Sequence, residues 1–427
     1  MRIANATLPD GRVADIRIDG SKIVAVGQDL SPQPREGRID ATGLRLMPGG
    51  IDVHVHFRDP GMTHKEDWDS GTASAAAGGV TTVVDQPNTD PPTISGETFD
   101  DKVERAAKAR IDYGINGGVT EEWNPESLFT RDLFALGEVF LADSTGDMGI
   151  EQSLFEDALE YASAAGVPVT VHAENEGEFD TGVMDREDPN AWSEFRRPAA
   201  EISAVEQVSK TNTDTSLHIA HASVPEAVDI ASNAGITCEV TPHHLFLSTD
   251  DLSELGSFGR MNPPLRPERM RQGMWERLVD GRIDMVATDH APHTKEEKEG
   301  SIWDVASGVP GVETMLPLLC AAAERGEISY ERVAMVTSTT PADRFGLKQK
   351  GRIEPGCDAD LVLFDPEMQS IEPDSLHTTC DWTPFADWDA VFPVLTLCRG
   401  RVVYESGDVG DAGGTNVRTA ERACNSV

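Results

Sequence analysis

Residues 51–57 read IDVHVHF, a short apolar run in which His54 and His56 stand two positions apart. In an extended strand such positions share a face, so both imidazoles point the same way. Seven runs of similar length follow: VTTVVDQ (80–86), DYGINGGV (112–119), LGEVFLA (136–142), VPVTVHA (167–173), SLHIAHA (216–222), ITCEVTP (236–242) and IDMVATD (283–289). Helix-like stretches separate most of them, among them TASAAAGG (72–79), DDKVERAAKA (100–109), SLFEDALEYASAAG (153–166), AEISAVEQVSK (200–210) and VPEAVDIASNAG (224–235). Strand-like runs alternating with helices are the pattern of a parallel sheet. Eight such units predict an α/β protein built on a (β/α)8 TIM-type barrel, residues 49–346.

The two ends of the chain read differently. Residues 1–48 carry short alternating stretches such as VADIRI and KIVAVG, broken by Gly and Asp, and residues 347–410 return to that style in DADLVLFD and PVLTLCRGRVVYESG. They are expected to form one small β-domain from both termini. Residues 411–427 have weak periodicity and read as a surface tail.

Composition narrows the function. The 427 residues include 36 basic and 74 acidic side chains, a formal net charge of −38, which opposes binding to nucleic acid or to an anionic membrane surface. Only 9 of the basic residues are Lys against 27 Arg, and the acids are spread along the whole chain, a composition that resembles proteins of salt-accumulating halophiles. No apolar leader follows Met1 and no run is long enough to span a bilayer, so a cytoplasmic protein, open to homo-oligomerisation, is expected. Six scattered cysteines without a CxxC pair suggest neither a disulfide framework nor a zinc ribbon.

Histidine is concentrated, with ten of eleven between His54 and His293. In a parallel barrel the loops after the strands converge at one mouth, and catalytic groups stand at the C-terminal strand ends. The first run supplies His54 and His56 there, the fifth His172, the sixth His221 and the eighth Asp289. Imidazole and carboxylate converging in this way suit a zinc-like ion. His218, three residues before His221, cannot share its facing and is read as a supporting group, as are His243, His244 and His290.

The segments HVHFRDPG, AAAGGVTTVVDQPNT, VHAEN, HIAHAS, CEVTPHHLFLS, MNPPLRPE and ATDHAPHT, in this order, resemble the dihydroorotases of the amidohydrolase superfamily, and GRIEPGCDADLVLFD resembles the return of the chain to that family's small β-domain. The resemblance runs from about residue 2 to residue 408. It implies two zinc ions per subunit and the interconversion of N-carbamoyl-L-aspartate and L-dihydroorotate, with Asp289 as acid and base beside a metal-activated hydroxide. His54, His56, His172, His221 and Asp289 match the metal ligands. Arg58 and Asn88 match groups that hold the substrate carboxylate, Asn262 and His293 match positions at the substrate ring, and Pro310 with Gly311 match backbone contacts. His56 adjoins both metal and substrate in this scheme.

Two departures stand out. Many relatives bridge their metals with a modified lysine on the fourth strand, and no Lys lies between Lys108 and Lys210. The bridge must then be a carboxylate, either Glu138, which interrupts an apolar run and needs a positive partner, or Asp143 near the strand end. Glu138 is slightly favoured, and an odd offset makes one ligand more natural than two. Gln86 stands where relatives often have Met, a change expected to alter packing only. The alternative functions are an allantoinase or hydantoinase-type cyclic amide hydrolase, against which Arg58 and Asn88 speak, and a non-catalytic scaffold, against which the full set of ligands speaks.

Overall fold

The computed structural model of the chain describes residues 1–141, 148–211 and 213–419. Its N-terminal strands are β1 (Arg2–Thr7), β2 (Val13–Asp19), β3 (Lys22–Gly27), β4 (Arg38–Asp40) and β5 (Arg45–Pro48). The eight runs each contain one strand of the next set: β6 (Gly50–Val55), β7 (Val80–Asp85), β8 (Asp112–Ile115), β9 (Leu136–Phe140), β10 (Val169–His172), β11 (Leu217–Ile219), β12 (Thr237–Val240) and β13 (Met285–Val286). Strands β6 to β8 pair in parallel, as do β9 to β13. Parallel bridges Gly117↔Leu136 and Val55↔His290 join the two groups, and the His56 N–H donates to the His290 carbonyl at 2.8 Å, so the (β/α)8 barrel closes.

Strand and helix pack closely because the intervening residues are small. Helix Trp68–Ala77 begins on a capping box between Asp67 and Ser70 and buries nearly all of its WDSGTASAAA face. Its Gly71 lies against the Phe57 ring, where a Cβ would collide. Aliphatic side chains from strands and helices merge into one large core containing Val55, Val83, Ile115, Val139, Val171 and Val240.

The chain then returns through β14 (Leu361–Phe364), a short ribbon of β15 (Gln369–Ser370) with β16 (Asp389–Ala390), and β17 (Pro393–Cys398), β18 (Arg401–Glu405) and β19 (Asp408–Val409). Among the described residues, β1 to β5 with β14 and β17 to β19 form one nine-stranded sheet over its own aliphatic cluster of Ile3, Ile16, Ile23, Leu46 and Leu361. Lys350 ties this sheet to the barrel, with Nζ 2.8 Å from Asp112 of β8 and 2.6 Å from Asp360.

Two segments differ from the sequence expectation. Residues 371–391 leave the small sheet, and Trp382, Phe385 and Val391 pack into the barrel core. Residues 411–419 are a docked strap and no free tail: Asn416 bridges to Tyr113, and Val417 is buried. Local periodicity carries no record of such long-range docking. Among the described residues no helix is long and apolar enough to cross a membrane.

Candidate active site

Three of the site residues occupy left-handed backbone, which a side chain normally avoids: Arg58 (φ 62°), His221 (φ 33°) and Asp289 (φ 47°). All three stand just beyond a barrel strand, where the chain turns into its βα loop. The turn aims their side chains into a small cavity that is also walled by His56, Asn88, Glu138, His172 and Asn262.

Glu138 is buried at the centre of the histidines, as its position within LGEVF demanded. Its carboxylate lies 2.9 Å from His172 Nδ1 and 3.3 Å from His54 Nε2, and it also pairs closely with His221 Nε2. Burial opposes its ionisation, but the charges of His221 and His54 and the hydrogen bonds from His172 and His221 outweigh it and hold the carboxyl well below its ordinary range. His56 Nε2 lies 2.9 Å from Asp289 Oδ1, and His54 Nε2 is 3.6 Å from the same oxygen. Asp289, too, is held below its ordinary pKa, since hydrogen bonding to His56 and the His54, His56 and His221 charges overcome burial. Asp143, the other candidate for the fourth strand, lies outside the described residues.

The donor set fits a metal. Ligand atoms of His54, Glu138 and His221, and likewise those of His54, His56 and Asp289, lie within 4.8 Å of one another. His54 Nε2 is buried without a hydrogen-bond partner, and in the neutral imidazole that binds a metal its lone pair would be open to a cation.

Supporting groups fix the ligand rings from behind. His54 Nδ1 donates to Glu239 Oε1 at 2.6 Å, which leaves Nε2 as the nitrogen facing Glu138 and Asp289. Glu239 Oε2 accepts from His218 Nε2 at 3.0 Å, so His218 supports the site at one remove. His172 Nε2 is 2.8 Å from Glu174, which pairs with Arg196 at 3.2 Å. His56 Nδ1 bonds Asn88 Oδ1 at 2.7 Å, so Asn88 joins a candidate ligand to the cavity wall. The reading of the sequence missed Glu239 and Glu174, although Glu239 interrupts an apolar run just as Glu138 does. Gln86 does more than pack, because its Oε1 accepts from the Glu138 N–H at 2.8 Å and from Asn116 at 3.0 Å, while its amide donates to the Val53 carbonyl at 3.1 Å. It connects β6, β8 and β9 under the site.

Arg58 is 1% exposed, and its Nη1 has no hydrogen-bond partner. Burial lowers its pKa to about 10, which leaves it cationic at neutral pH. Asn262 Oδ1 is fixed by Trp192 Nε1 at 3.1 Å. The structure does not bring His293, Pro310 and Gly311 to the cavity wall. The His293 ring sits behind Arg58, with Nε2 2.9 Å from the Ser307 carbonyl, and burial with the nearby Arg58 charge lowers its pKa to about 3, so it is neutral. Gly311 donates its N–H to His290 Nδ1 at 3.1 Å, and the loop's contribution to the wall is Ser307 and Gly308. Gly308 (φ 130°) passes so close to Ala291 that any side chain would collide, which fixes the turn three residues before Gly311.

Comparison with known proteins places these features in a context. The model of the amidohydrolase family matches residues 45–403. A dihydroorotase of Halobacterium salinarum is 58% identical over 421 residues, covering 97% of this chain and 99% of that protein. One from Methanosarcina acetivorans is 44% identical over 414 residues, covering 92% and 89%. Among solved structures, the L-hydantoinase (dihydropyrimidinase) of Arthrobacter aurescens superposes with a TM-score of 0.91 at 28% identity, covering 97% of this chain and 98% of that one.

Proposed function

The chain belongs to the amidohydrolase family, and from that premise we propose that it catalyses the dihydroorotase reaction, the reversible closure of N-carbamoyl-L-aspartate to L-dihydroorotate in pyrimidine synthesis. The family is metal-dependent, and we assign the metal as two zinc ions, which His54, His56, Glu138, His221 and Asp289 would hold together with His172 beside Glu138. When bound, the metal polarises the reacting carbonyl and makes hydroxide available near neutral pH. Asp289, ionised and at the cavity wall, accepts the proton released as water adds to the ring amide and returns it to the departing nitrogen. In the closing direction it takes the proton from the attacking ureido nitrogen and delivers it to the departing oxygen. Asn88 and Asn262, both on the cavity wall, orient the substrate by hydrogen bonds.

The observation that carries this reading is Arg58. A buried guanidinium with an unpartnered Nη1 at a cavity wall calls for a hydrogen-bond acceptor and binds an anionic one best, and the carboxylate that survives ring closure supplies one. Hydantoins share the cyclic amide but bring no such carboxylate, so the likeness to hydantoinases is taken as one of fold. The test is turnover of N-carbamoyl-L-aspartate and L-dihydroorotate by the zinc-loaded protein, beside Arg58→Gln. Wild-type turnover is expected, with apparent affinity weakened by roughly 1.5–3 kcal/mol in the variant and zinc content unchanged. Activity on hydantoin or allantoin without activity on these substrates would overturn the reading.

A further inference from the structure

Lys298 is fully buried beside the cavity, at the end of the short helix Lys295–Lys298. Its Nζ donates to the carbonyls of Arg260 at 2.8 Å, Ala306 at 2.9 Å and Gly308 at 3.0 Å. Three acceptors use all three N–H bonds of an ammonium group, so the geometry calls for the charged form even though burial and the neighbouring Arg260 charge pull its pKa down. The Trp382 ring lies 5.6 Å from the ammonium. The sequence analysis gave Lys298 no part.

His293 beside this loop meets a cation at each ring nitrogen, with Lys65 Nζ 3.1 Å from Nδ1 and Arg58 Nη2 3.2 Å from Nε2, and its Nε2 also lies 2.9 Å from the Ser307 carbonyl. The carbonyls of Ala306 and Gly308 are bound by an ammonium behind the wall that Ser307 and Gly308 present to the cavity. Carbonyl oxygens turned inward would face the anion drawn in by Arg58, and they would repel it.

Resting on the reaction assigned above, we propose that Lys298 is a positioning residue for anionic substrate: it turns the carbonyls of Ala306 and Gly308 away from the substrate carboxylates, and its buried charge adds to their attraction. The effect is on binding of anions, not on the chemical step.

The experiment measures wild-type, Lys298→Met and Lys298→Gln enzymes with L-dihydroorotate, with inhibition by dihydrouracil, the same ring without its carboxylate, as the neutral control. Absence of wild-type turnover overturns the assigned reaction and this inference with it. Given turnover, both variants should raise KM for dihydroorotate about tenfold with kcat within about threefold, zinc content unchanged and dihydrouracil inhibition unaltered. The Gln variant keeps two N–H donors without the charge and serves if the Met variant does not fold. An unchanged KM in a folded variant, or equal weakening of the neutral and the anionic ring, overturns the inference while leaving the reaction standing.

Discussion

In the proposed reaction Asp289 would both hold a cation and move a proton, whereas Glu138, packed among three imidazoles, would have only the first task. Replacement separates the two. Asn at 289 keeps an oxygen at the same place but cannot accept a proton, so Asp289→Asn should lower kcat by roughly 10²–10⁴, the usual scale for a general acid–base group. Near-normal turnover would exclude Asp289 as the proton carrier. Glu138→Ala removes the carboxylate shared by His54, His172 and His221, and its first effect should be on zinc occupancy, measured by metal analysis after dialysis, with activity falling in step. If that variant kept full zinc and activity, the bridging role would be wrong. In the same shell, Glu239 and Glu174 hold the rings of His54 and His172, so Asp289 and Glu138 act on imidazoles already oriented.

Strand β9 shows why a single backbone position can control the site. Gly137 has φ 131°, and a Cβ there would collide with the Thr170 carbonyl and hydroxyl of β10. This conformation places the Glu138 N–H on Gln86 and its carboxylate among the histidines. Gly137→Ala should therefore cost about 2–4 kcal/mol of stability and weaken zinc retention, read by thermal melts and metal analysis. An unchanged melting temperature with full zinc would mean that the strand relaxes freely. The elements themselves were legible in sequence because each barrel strand is an apolar run with punctuated ends, and Glu138 stood out as an acid inside one. Glu239 in ITCEV carried the same signal. Lys298 carried none, because a buried lysine satisfied by carbonyls has the local sequence of a surface helix. Which backbone groups of residues 300–311 face the cavity was equally hidden, since the turn at Gly308 is set by contact with Ala291, a residue far away along the chain. Neither pattern nor length separated Asp143 from Glu138; the Glu138 carboxylate lies against His54, His172 and His221, and Asp143 falls outside the described residues.

At the scale of the whole molecule, 74 acidic side chains against 36 basic ones leave a field of one sign. Surface arginines already serve two acids each, as Arg186 does with Asp188 and Glu194 and Arg282 with Asp229 and Asp280, so pairing cannot absorb the excess. Self-repulsion destabilises the compact state, and the screening length falls from about 10 Å at 0.1 M salt to about 3 Å at 1 M. The melting temperature should rise steeply with KCl in this range, and sucrose, which is excluded from the surface without screening charge, should reproduce only a small part of the rise. A flat or falling melting temperature would remove the halophile reading. The same field bears on catalysis, because N-carbamoyl-L-aspartate carries two carboxylates and must approach a molecule of net charge −38. Its capture at low salt is opposed at long range and favoured only within a few ångström of Arg58, whose attraction is shielded from bulk ions by burial. Screening should thus relieve the repulsion more than it weakens the clamp, and kcat/KM for N-carbamoyl-L-aspartate should increase with KCl at concentrations where the folded fraction is already constant. If kcat/KM instead falls with salt there, the field at the mouth is locally positive, and the surface charge acts on stability alone.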